Sequence, residues 1–574
     1  MIRNKLTAKT VHLSSLLMIL GLLLEPRPLL QKKKVIYDIT DWISYLNFKY
    51  VTSITVSREY VYFGTTNGIL RYHRFRETWD FPFTTSSGLP DNIIYIVAYD
   101  KDTQLLWAVS RAGLSYFHDV FSRWKNISKS DLGLSYSDRI FSIGIARNII
   151  WLETTAGYIG VDKYNGSLIR MNMDLKDNEF IEWSGIRKIK KSSFLTDFYM
   201  TEGYIFIPGG TIMDPNFREF KISYWVADEF KNLWCGIWGL GPAKGDLRTR
   251  RLELLHYGPA TDIISSLAMD EKNRSLWIGG KTSFRSDYIS MEIQYLETLS
   301  GITEWHLSSN IWKYYESQYI QGLRSNNVNV IKIDNGTIWF GKDRGLTIFF
   351  REEGIWKTFT IFDNLTDDKI NDIEIEVDSV WIATDFGINT IQKKSLLIRK
   401  NVLSDLIGGK IYDILIDGKF VWFGTDNGIF SLNRATGTYS HFNTFGDLIG
   451  LDKRISEKIN SIDKIEDSIF FATERGITQF SISKKVWKQL PLNLYLIKKP
   501  VKVIEVGKDF IWAGTELGLF KYNRKKMYWR HYTVDDGLAN NQVNSILLDG
   551  NYLWIGTSKG LTKFLWNEPS RLGD

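Results

Sequence analysis

Short runs of alternating apolar and polar residues recur along the chain, separated by turn residues. In the last period an alternating run at 543–549 is followed by a Gly-Asn turn and a second run at 553–557. In the preceding period a third run at 519–523 and a fourth at 527–533 follow in the same order. Alternation with a period of two is typical of β-strands, whereas helical repeats would show apolar spacings of three and four. The pattern therefore predicts four short antiparallel strands per period, the sequence form of a propeller blade.

The second strand of each period carries the most regular motif. It reads aromatic, one variable residue, Gly or Ala, usually Thr, two variable residues, Gly, and then Ile or Leu. The Gly after the variable pair fits a turn with positive φ, and the period-locked aromatic residue predicts packing between adjacent blades. The aromatic anchors are Phe63, Trp107, Trp151, Phe206, Trp234, Trp277, Trp339, Trp381, Trp422, Phe470, Trp512 and Trp554.

The spacing of these anchors predicts an all-β fold of tandem β-propellers with about twelve four-stranded blades. A period near 40 residues indicates blades rather than one large core. Twelve blades exceed the usual four to eight of one ring, so we expect two discs, with six plus six favoured and seven plus five as the alternative. The longest gap, at 310–327, places a first propeller at 35–325 and a second at 326–574. The Phe206 blade is the least regular, and without it the count becomes eleven.

The chain ends shortly after the third strand of the last period, so that blade lacks its own fourth strand. The segment Val35–Thr40 (within 35–45) stands where a fourth strand would precede the first blade, because Tyr37 lies 14 residues before Val51, as Trp529 lies before Val543. Pairing this strand with the last blade would remove an exposed sheet edge. The chain would then begin in the second disc, build the first, and return.

Residues 1–34 contain basic residues followed by an apolar run at 13–24. The run is shorter than the roughly 20 residues that span a bilayer, and a basic start with a short apolar stretch is typical of an export signal. A small-residue cleavage site is missing, so an uncleaved N-terminal anchor is the alternative. We expect a periplasmic or extracellular protein, with the membrane contacted only through that anchor.

Composition excludes several functions. The net charge of +7 is spread over 574 residues with both signs interspersed, so no nucleic-acid surface is indicated. The single cysteine, Cys235, rules out a disulfide within the chain and a cysteine-based metal site, and its strand position predicts a buried filler. The seven histidines lack metal-ligand spacing, and neither a serine nucleophile elbow nor a phosphate-binding loop is present. We expect no metal, cofactor or catalytic residue.

The motif together with the loop Asp535-Asp536-Gly537-Leu538-Ala539-Asn540-Asn541-Gln542-Val543 resembles the two-component regulator propeller repeats. Similar loops stand at 87–93 and 363–370, and the resemblance covers roughly 35–566, weakly between 160 and 310. It implies the exported sensor domain of hybrid histidine kinases, often a receptor for carbohydrate fragments. No kinase, receiver or DNA-binding part follows Trp566 in this sequence, so the resemblance extends to the propeller alone.

Strand direction predicts where a ligand would bind. The turn between second and third strands and the start of each first strand should share one face of a disc. Amides, carboxylates and cations around a central depression suit polar ligands such as sugars, although Asn and Asp are also common in solvated turns. The candidate ligand-binding residues are Asn329, Asp343, Arg344, Asn371, Asp385, Tyr412, Asp426, Asn427, Asn460, Glu474, Arg475, Lys502, Glu516, Asn544 and Lys559.

The sequence thus favours an exported, non-enzymatic propeller that binds a polar small molecule, a glycan, or a protein such as a separate membrane sensor. Two alternatives stay open: a polysaccharide lyase or hydrolase on a propeller scaffold, and a structural scaffold for protein–protein interaction.

Overall fold

The computed structural model describes residues 37–169, 181–185, 197–207, 210–281, 284–287, 294–297, 301–442, 458–491, 499–569 and 571. Within these ranges the chain is almost entirely β-structure. Eleven described sheets contain four or more strands, and each includes four neighbouring antiparallel strands. We number these sheets blades 1–11 in the order of their first strands.

The first four blades lie between residues 51 and 254. Their strands are Val51–Val56, Tyr60–Thr65, Gly68–His73 and Thr78–Trp79 in blade 1; Ile94–Asp100, Leu105–Ser110, Gly113–His118 and Arg123–Ser128 in blade 2; Ile140–Ile145, Ile149–Thr154, Gly157–Asp162 and Leu168–Ile169 in blade 3; and Glu219–Ala227, Asn232–Ile237, Gly241–Asp246 and Arg251–Leu254 in blade 4. Blade 3 gains the strand Glu182–Gly185, and blade 4 gains Tyr199–Met200, Ile205–Ile207 and Thr211–Met213.

The other seven blades have their first strands from residue 263 onward. Their strands are Ile263–Asp270, Ser275–Lys281, Ile302–His306 and Ile311–Tyr315 in blade 5; Val328–Asp334, Thr337–Lys342, Gly345–Phe350 and Ile355–Phe359 in blade 6; Ile370–Ile375, Ser379–Thr384, Gly387–Gln392 and Ile398–Lys400 in blade 7; Ile411–Asp417, Phe420–Thr425, Gly428–Asn433 and Thr438–Phe442 in blade 8; Ile459–Ile465, Ser468–Thr473, Gly476–Ser481 and Val486–Gln489 in blade 9; Val503–Val506, Phe510–Gly514, Leu519–Asn523 and Tyr528–Tyr532 in blade 10; and Val543–Asp549, Tyr552–Thr557, Gly560–Leu565 and Trp42–Tyr45 in blade 11.

Helical and accessory elements are few in the described ranges. A hairpin of Phe284–Asp287 and Gln294–Glu297 is inserted between the second and third strands of blade 5. The helical segments are the 3₁₀ turns Thr85–Ser87, Asp119–Phe121 and Ile361–Asp363 and the α-helix Leu403–Ile407. None of the described helices is long and apolar enough to cross a membrane. The predicted signal or anchor at 1–34 lies outside the described residues.

The Thr and Gly of the motif build the turn between the second and third strands. In blade 8, Thr425 Oγ1 donates to the Gly428 carbonyl at 2.9 Å and accepts the Asn427 N–H at 3.0 Å. Gly428 has a φ of 103°, which other residues rarely adopt. The same pair of bonds recurs at Thr65, Thr154, Thr384, Thr473, Thr515 and Thr557.

The motif aromatics pack across the seams between neighbouring blades. The ring centroids of Trp277 and Phe340 are 5.6 Å apart across the seam of blades 5 and 6, and those of Trp422 and Phe471 are 5.9 Å apart across the seam of blades 8 and 9. Buried aromatic pairs of this kind contribute packing beyond their area alone. This seam packing is the one that the sequence predicted.

Blades 5–11 form one closed ring. At four seams, a side chain near the start of a first strand donates to a backbone carbonyl of the next blade: Ser265 Oγ to Val328, Asn329 Nδ2 to Ile370 at 2.8 Å, Asn371 Nδ2 to Ile411 at 2.9 Å and Asn460 Nδ2 to Val501 at 2.9 Å.

The three remaining seams of the ring are bonded as well. Between blades 8 and 9 the Ile462 N–H lies 2.6 Å from Asp413 Oδ2, and between blades 10 and 11 the Val543 N–H lies 2.9 Å from the Thr515 carbonyl oxygen. The last seam, from blade 11 to blade 5, is closed by a hydrogen bond from Asn544 to the Ile264 carbonyl. Every neighbouring pair of the seven blades is therefore joined.

This ring corrects the predicted domain boundary. Blade 5 lies at 263–315, inside the range 35–325 assigned to the first propeller, yet it is bonded to blades 6 and 11 of the ring. A boundary at 325/326 and a six-bladed second disc are therefore wrong. The long gap at 310–327 misled the prediction, because it holds the fourth strand of blade 5 and the loop that leads to blade 6.

The remaining blades follow one another in the order 4, 1, 2, 3. Ser223 Oγ of blade 4 donates to the Val51 carbonyl at 2.6 Å, and Thr52 Oγ1 of blade 1 donates to the Ile94 carbonyl at 2.7 Å. Lys163 of blade 3 binds Asp100 of blade 2 at 2.9 Å. The predicted Phe206 blade is absent from the described residues as a separate sheet, because its two strands extend the sheet of blade 4.

The N-terminal strand completes the last blade. Trp42–Tyr45 pairs antiparallel with Gly560–Leu565, and the Trp42 ring stacks on Phe564 with centroids 3.6 Å apart. The predicted range 35–45 contains this strand, which begins two residues after the segment Val35–Thr40 that the 14-residue spacing indicated. The described part of the chain, from residue 37, first contributes a strand to the ring of seven, then builds blades 1–4 and returns to the ring, as predicted.

The two groups of blades share a hydrophobic core. Tyr45 and Trp305 of the ring pack with Tyr257 of the connecting segment and with Trp79 of blade 1. The Tyr257 hydroxyl donates to the Asp80 carbonyl at 3.0 Å. A buried interface of this kind fixes the position of one group of blades relative to the other. Cys235 lies fully buried in blade 4, as predicted.

Candidate functional site

One face of the ring of seven gathers the predicted site residues. We call this surface the mouth; it consists of the starts of the first strands and the turns between second and third strands in blades 5–11. In several blades, a residue of the first strand and a turn residue 14 positions later come together. Asn371 Nδ2 donates to Asp385 Oδ1 at 2.9 Å, and Lys502 Nζ lies 3.4 Å from Glu516 Oε1. Asn544 similarly reaches Ser558 at 3.2 Å.

The side chains of the four predicted asparagines of the first strands form hydrogen bonds within the protein. Each is partly buried and donates its side-chain amide to a carbonyl of the next blade. A buried amide satisfied in this way fixes the spacing of the blades. The residues are Asn329, Asn371, Asn460 and Asn544.

The predicted turn residues divide by exposure. Asp343 is partly buried and accepts hydrogen bonds from Ser325 Oγ at 2.7 Å and Asn327 Nδ2 at 2.9 Å. The Asn427 carbonyl oxygen lies 2.8 Å from His441 Nε2. The residues exposed to solvent are Arg344, Asn427, Glu474, Arg475 and Lys559.

A compact set of charges at the mouth lies at blades 7 and 8. Asp385 Oδ2 binds Lys369 Nζ at 3.1 Å and Lys410 Nζ at 3.0 Å. Asp385 is only 12% exposed at its side chain, whereas the two lysines are 46% and 43% exposed. Burial opposes the charge on Asp385, but the bonds from Asn371, Lys410 and Lys369 outweigh it and lower the carboxyl pKa. The carboxylate thus holds two ammonium groups side by side, each partly open to solvent.

A second group adjoins this one in blades 8 and 9. Burial, together with the neighbouring Asp426 carboxylate, raises the pKa of Tyr412 to about 12, so the phenol stays neutral. Lys458 Nζ lies 4.3 Å from the centroid of the Tyr412 ring, within the range of a cation–π contact. Farther round the mouth, Lys502 and Lys499 lower the pKa of Glu516.

Sequence reasoning identified Lys502 and Lys559 of this surface but missed three other lysines. Lys369, Lys410 and Lys458 each stand immediately before the first strand of blades 7, 8 and 9. That shared position is visible in the sequence once the strands are aligned. The prediction named instead the first-strand residue two positions later in each of these blades, Asn371, Tyr412 and Asn460, together with the turn residues.

The part of the chain that the structure describes contains no evident metal-binding site. There, no group of three His, Cys, Asp or Glu side chains lies close enough to hold an ion. The mouth offers hydrogen-bonding groups and charges.

The comparisons with known proteins bear on the fold. Residues 537–559 match the model of the family described as two component regulator propeller, which confirms the resemblance drawn from the motif. No curated protein matches the sequence.

Solved structures match almost the whole chain. PorZ of Porphyromonas gingivalis is 14% identical over 92% of this chain and 87% of its own, with a TM-score of 0.61. The extracellular domain of the putative hybrid two component system BT4673 of B. thetaiotaomicron is 16% identical over 91% and 70%, with a TM-score of 0.46. That of BT3049 is 19% identical over 91% and 68%, with a TM-score of 0.43. The likeness to PorZ confirms the predicted fold class.

Proposed function

We propose that the protein is an exported, non-enzymatic binding propeller whose mouth, over blades 7 and 8, takes a polar ligand or a polar surface of a partner protein. The observation that carries the proposal is the convergence of Lys369 and Lys410 on one oxygen of Asp385. Because Asp385 holds both ammonium groups in place before any ligand arrives, a ligand acid or hydroxyl group meets them at little cost in side-chain entropy.

The surroundings of this lysine pair suit a polar ligand. Asn371 and the two lysines hold Asp385 in place, and Phe386, 73% exposed in the adjacent turn, offers an apolar face. Binding sites commonly combine a few fixed polar groups with an aromatic surface. PorZ, which has this fold, is described as a bacterial surface component of a secretion system, and this supports export of the present chain as part of the proposal.

The binding test uses the full chain on an array of neutral, uronate-containing and sulfated oligosaccharides, with titration calorimetry on any hit. The variant Lys369→Ala/Lys410→Ala should weaken binding at least tenfold, about 1.4 kcal/mol. Lys400→Ala is the matched control, because Lys400 is similarly exposed at 52% and pairs with Asp405 beside the same blade. Binding that survives the double variant would remove the mouth lysines from the site.

Product analysis separates a binder from an enzyme. Each bound oligosaccharide is incubated with the protein and its mass followed over time. Unchanged mass supports the binder, whereas shortened chains, with or without a new double bond, would establish the hydrolase or lyase alternative. Export is tested separately by fusing alkaline phosphatase to the C-terminus, because this enzyme needs disulfides that form only outside the cytoplasm. A fusion protein that is produced but stays inactive and fractionates with the cytoplasm would overturn that part.

A further inference from the structure

The seams between blades use side-chain acceptors at fixed positions of the first strands. In blade 1, Ser53 Oγ accepts the Val97 N–H at 2.9 Å and Thr55 Oγ1 accepts the Tyr99 N–H at 3.1 Å. In blade 5, Ser266 Oγ accepts the Ile331 N–H at 2.9 Å. These seams therefore rely on hydroxyl groups, which do not titrate in the physiological range.

Blades 7–10 place carboxylates at the same positions. Asp372 Oδ2 accepts the Ile414 N–H at 2.9 Å. Asp413 Oδ2 accepts the Ile462 N–H, and Asp463 Oδ2 the Val506 N–H, both at 2.6 Å. The Glu505 carboxyl accepts a hydrogen bond from the backbone of Leu548. Four successive seams of the ring are thus held by acidic side chains.

The charges that act on these four carboxyls come from neighbouring strands as well as from one another. Lys332 Nζ of blade 6 lies 3.0 Å from Glu374 Oε2 of blade 7. Its positive charge also interacts electrostatically with the carboxyls of Asp372, Asp413, Asp463 and Glu505. The negative charges of Asp372 and Glu376 repel the Glu374 carboxylate, and the Glu374 charge in turn repels that of Asp463. One ammonium group thus faces several acids across the centre of the ring.

We propose that the three carboxyls Asp413, Asp463 and Glu505 form a proton-controlled lock on the seams from blade 8 to blade 11. A protonated carboxyl still accepts an N–H bond through its carbonyl oxygen, so proton uptake keeps the seam bond and removes the repulsion. Loss of the protons adds like charges around a single lysine and loosens these seams. The seams that blades 1 and 5 form through hydroxyl groups do not respond.

The pKa values of these three carboxyls support the proposal. Burial raises the pKa of Asp463 to about 6 and that of Glu505 to about 8, and in Glu505 the Asp463 charge adds to the effect. Burial and the Asp372 charge raise the pKa of Asp413. The change therefore falls between mildly acidic and mildly alkaline pH. Lys410 of the mouth stands at the start of blade 8, so the lock acts on a blade that carries part of the proposed binding surface.

Hydrogen exchange by mass spectrometry on the full chain tests the lock, with rates corrected for the intrinsic effect of pH. Between about pH 5 and pH 9, protection of peptides containing Ile462, Val506 and Leu548 should fall at least tenfold. Peptides containing Val97, Tyr99 and Ile331 are the internal control and should keep their protection. Equal behaviour of the two sets would overturn the proposal.

A double variant tests whether these carboxyls cause the pH dependence of hydrogen-exchange protection. Asp463→Asn/Glu505→Gln keeps the hydrogen-bond acceptors and removes the titration, so the pH dependence at Val506 and Leu548 should disappear. Persistence of that dependence in the folded variant would contradict the lock. Should the double variant fail to fold, Glu505→Gln alone gives the same decision at Leu548.

Discussion

The side-chain amide of Asn544 donates to the carbonyl oxygen of Ile264 at 3.2 Å, across the seam where blade 11 meets blade 5. The two residues are 280 positions apart in the chain. Their contact closes the ring of seven and assigns blade 5 to the same disc as the C-terminal blades.

The closing seam should be sensitive to volume at Gly556. A Cβ added there would lie 2.6 Å from Ile264 Cγ2, closer than carbon atoms pack. Gly556→Ala should lower the free energy of unfolding by about 1–3 kcal/mol, because the strands must move apart. Urea denaturation measures the change, and Gly507→Ala, where the nearest atom is 3.4 Å away, is the control. Equal stability of the two variants would show that the seam adapts.

The N-terminal strand should be essential to the last blade. Trp42 is 2% exposed and stacks on Phe564, so Trp42→Ala should cost about 3–5 kcal/mol of unfolding free energy. Phe362→Ala, at a residue 90% exposed, should have almost no effect. Thermal unfolding compares the two. A Trp42→Ala protein as stable as the wild type would mean that the terminal strand contributes little to closure.

An ion pair across the seam of blades 7 and 8 should make the free energy of unfolding depend on pH in the acidic range. Glu376 Oε1 binds Arg434 at 2.6 Å, and Glu376 Oε2 accepts the Trp381 indole N–H at 3.0 Å. Burial opposes the charge on Glu376, but these hydrogen bonds outweigh it and lower its pKa. The stabilisation by this ion pair is therefore present above the pKa that Glu376 has in the unfolded chain. It is lost as the pH falls through the lowered pKa of Glu376 in the folded protein.

The variant Glu376→Gln isolates this contribution. It should cost about 1–3 kcal/mol at neutral pH, because Arg434 then faces a neutral amide instead of a carboxylate, and much less at about pH 3. Glu352→Gln, at an exposed turn of blade 6, is the control. A cost that is the same at both pH values would assign the effect to packing rather than to charge.

Global stability should also fall as pH rises from about 5 to about 9. The folded pKa values of Asp463 and Glu505 are raised, to about 6 and about 8. A raised carboxyl pKa contributes stability below the unfolded value, and this is lost as pH rises through the folded value. Melting temperatures should decline across this interval and decline less in Glu505→Gln. Asp509→Asn is the control, because Lys525 lowers the pKa of that exposed carboxyl. A melting temperature that rises with pH would contradict the assignment.

Much of the local structure could be predicted from the sequence. The first strand of blade 11 and the third strand of blade 10 have the predicted bounds, Val543–Asp549 and Leu519–Asn523, because alternation and turn residues are local signals. The candidate site was predicted less well. Asn371 and Asp385 do meet at the mouth, but the amides of the first strands serve the seams, and Lys369 and Lys410 were overlooked.

The sequence by itself determined the blade: four short strands, a Thr-Gly turn and an aromatic anchor, repeated every forty-odd residues. These features follow from side-chain alternation and backbone φ within one period, so neighbours in the chain suffice to encode them. Only the tertiary structure decided which blades close a ring and which acids meet at its centre. Ring membership depends on packing between residues hundreds of positions apart, such as Asn544 and Ile264, and the charges of Lys332 and Glu505 act on each other only once the ring has closed.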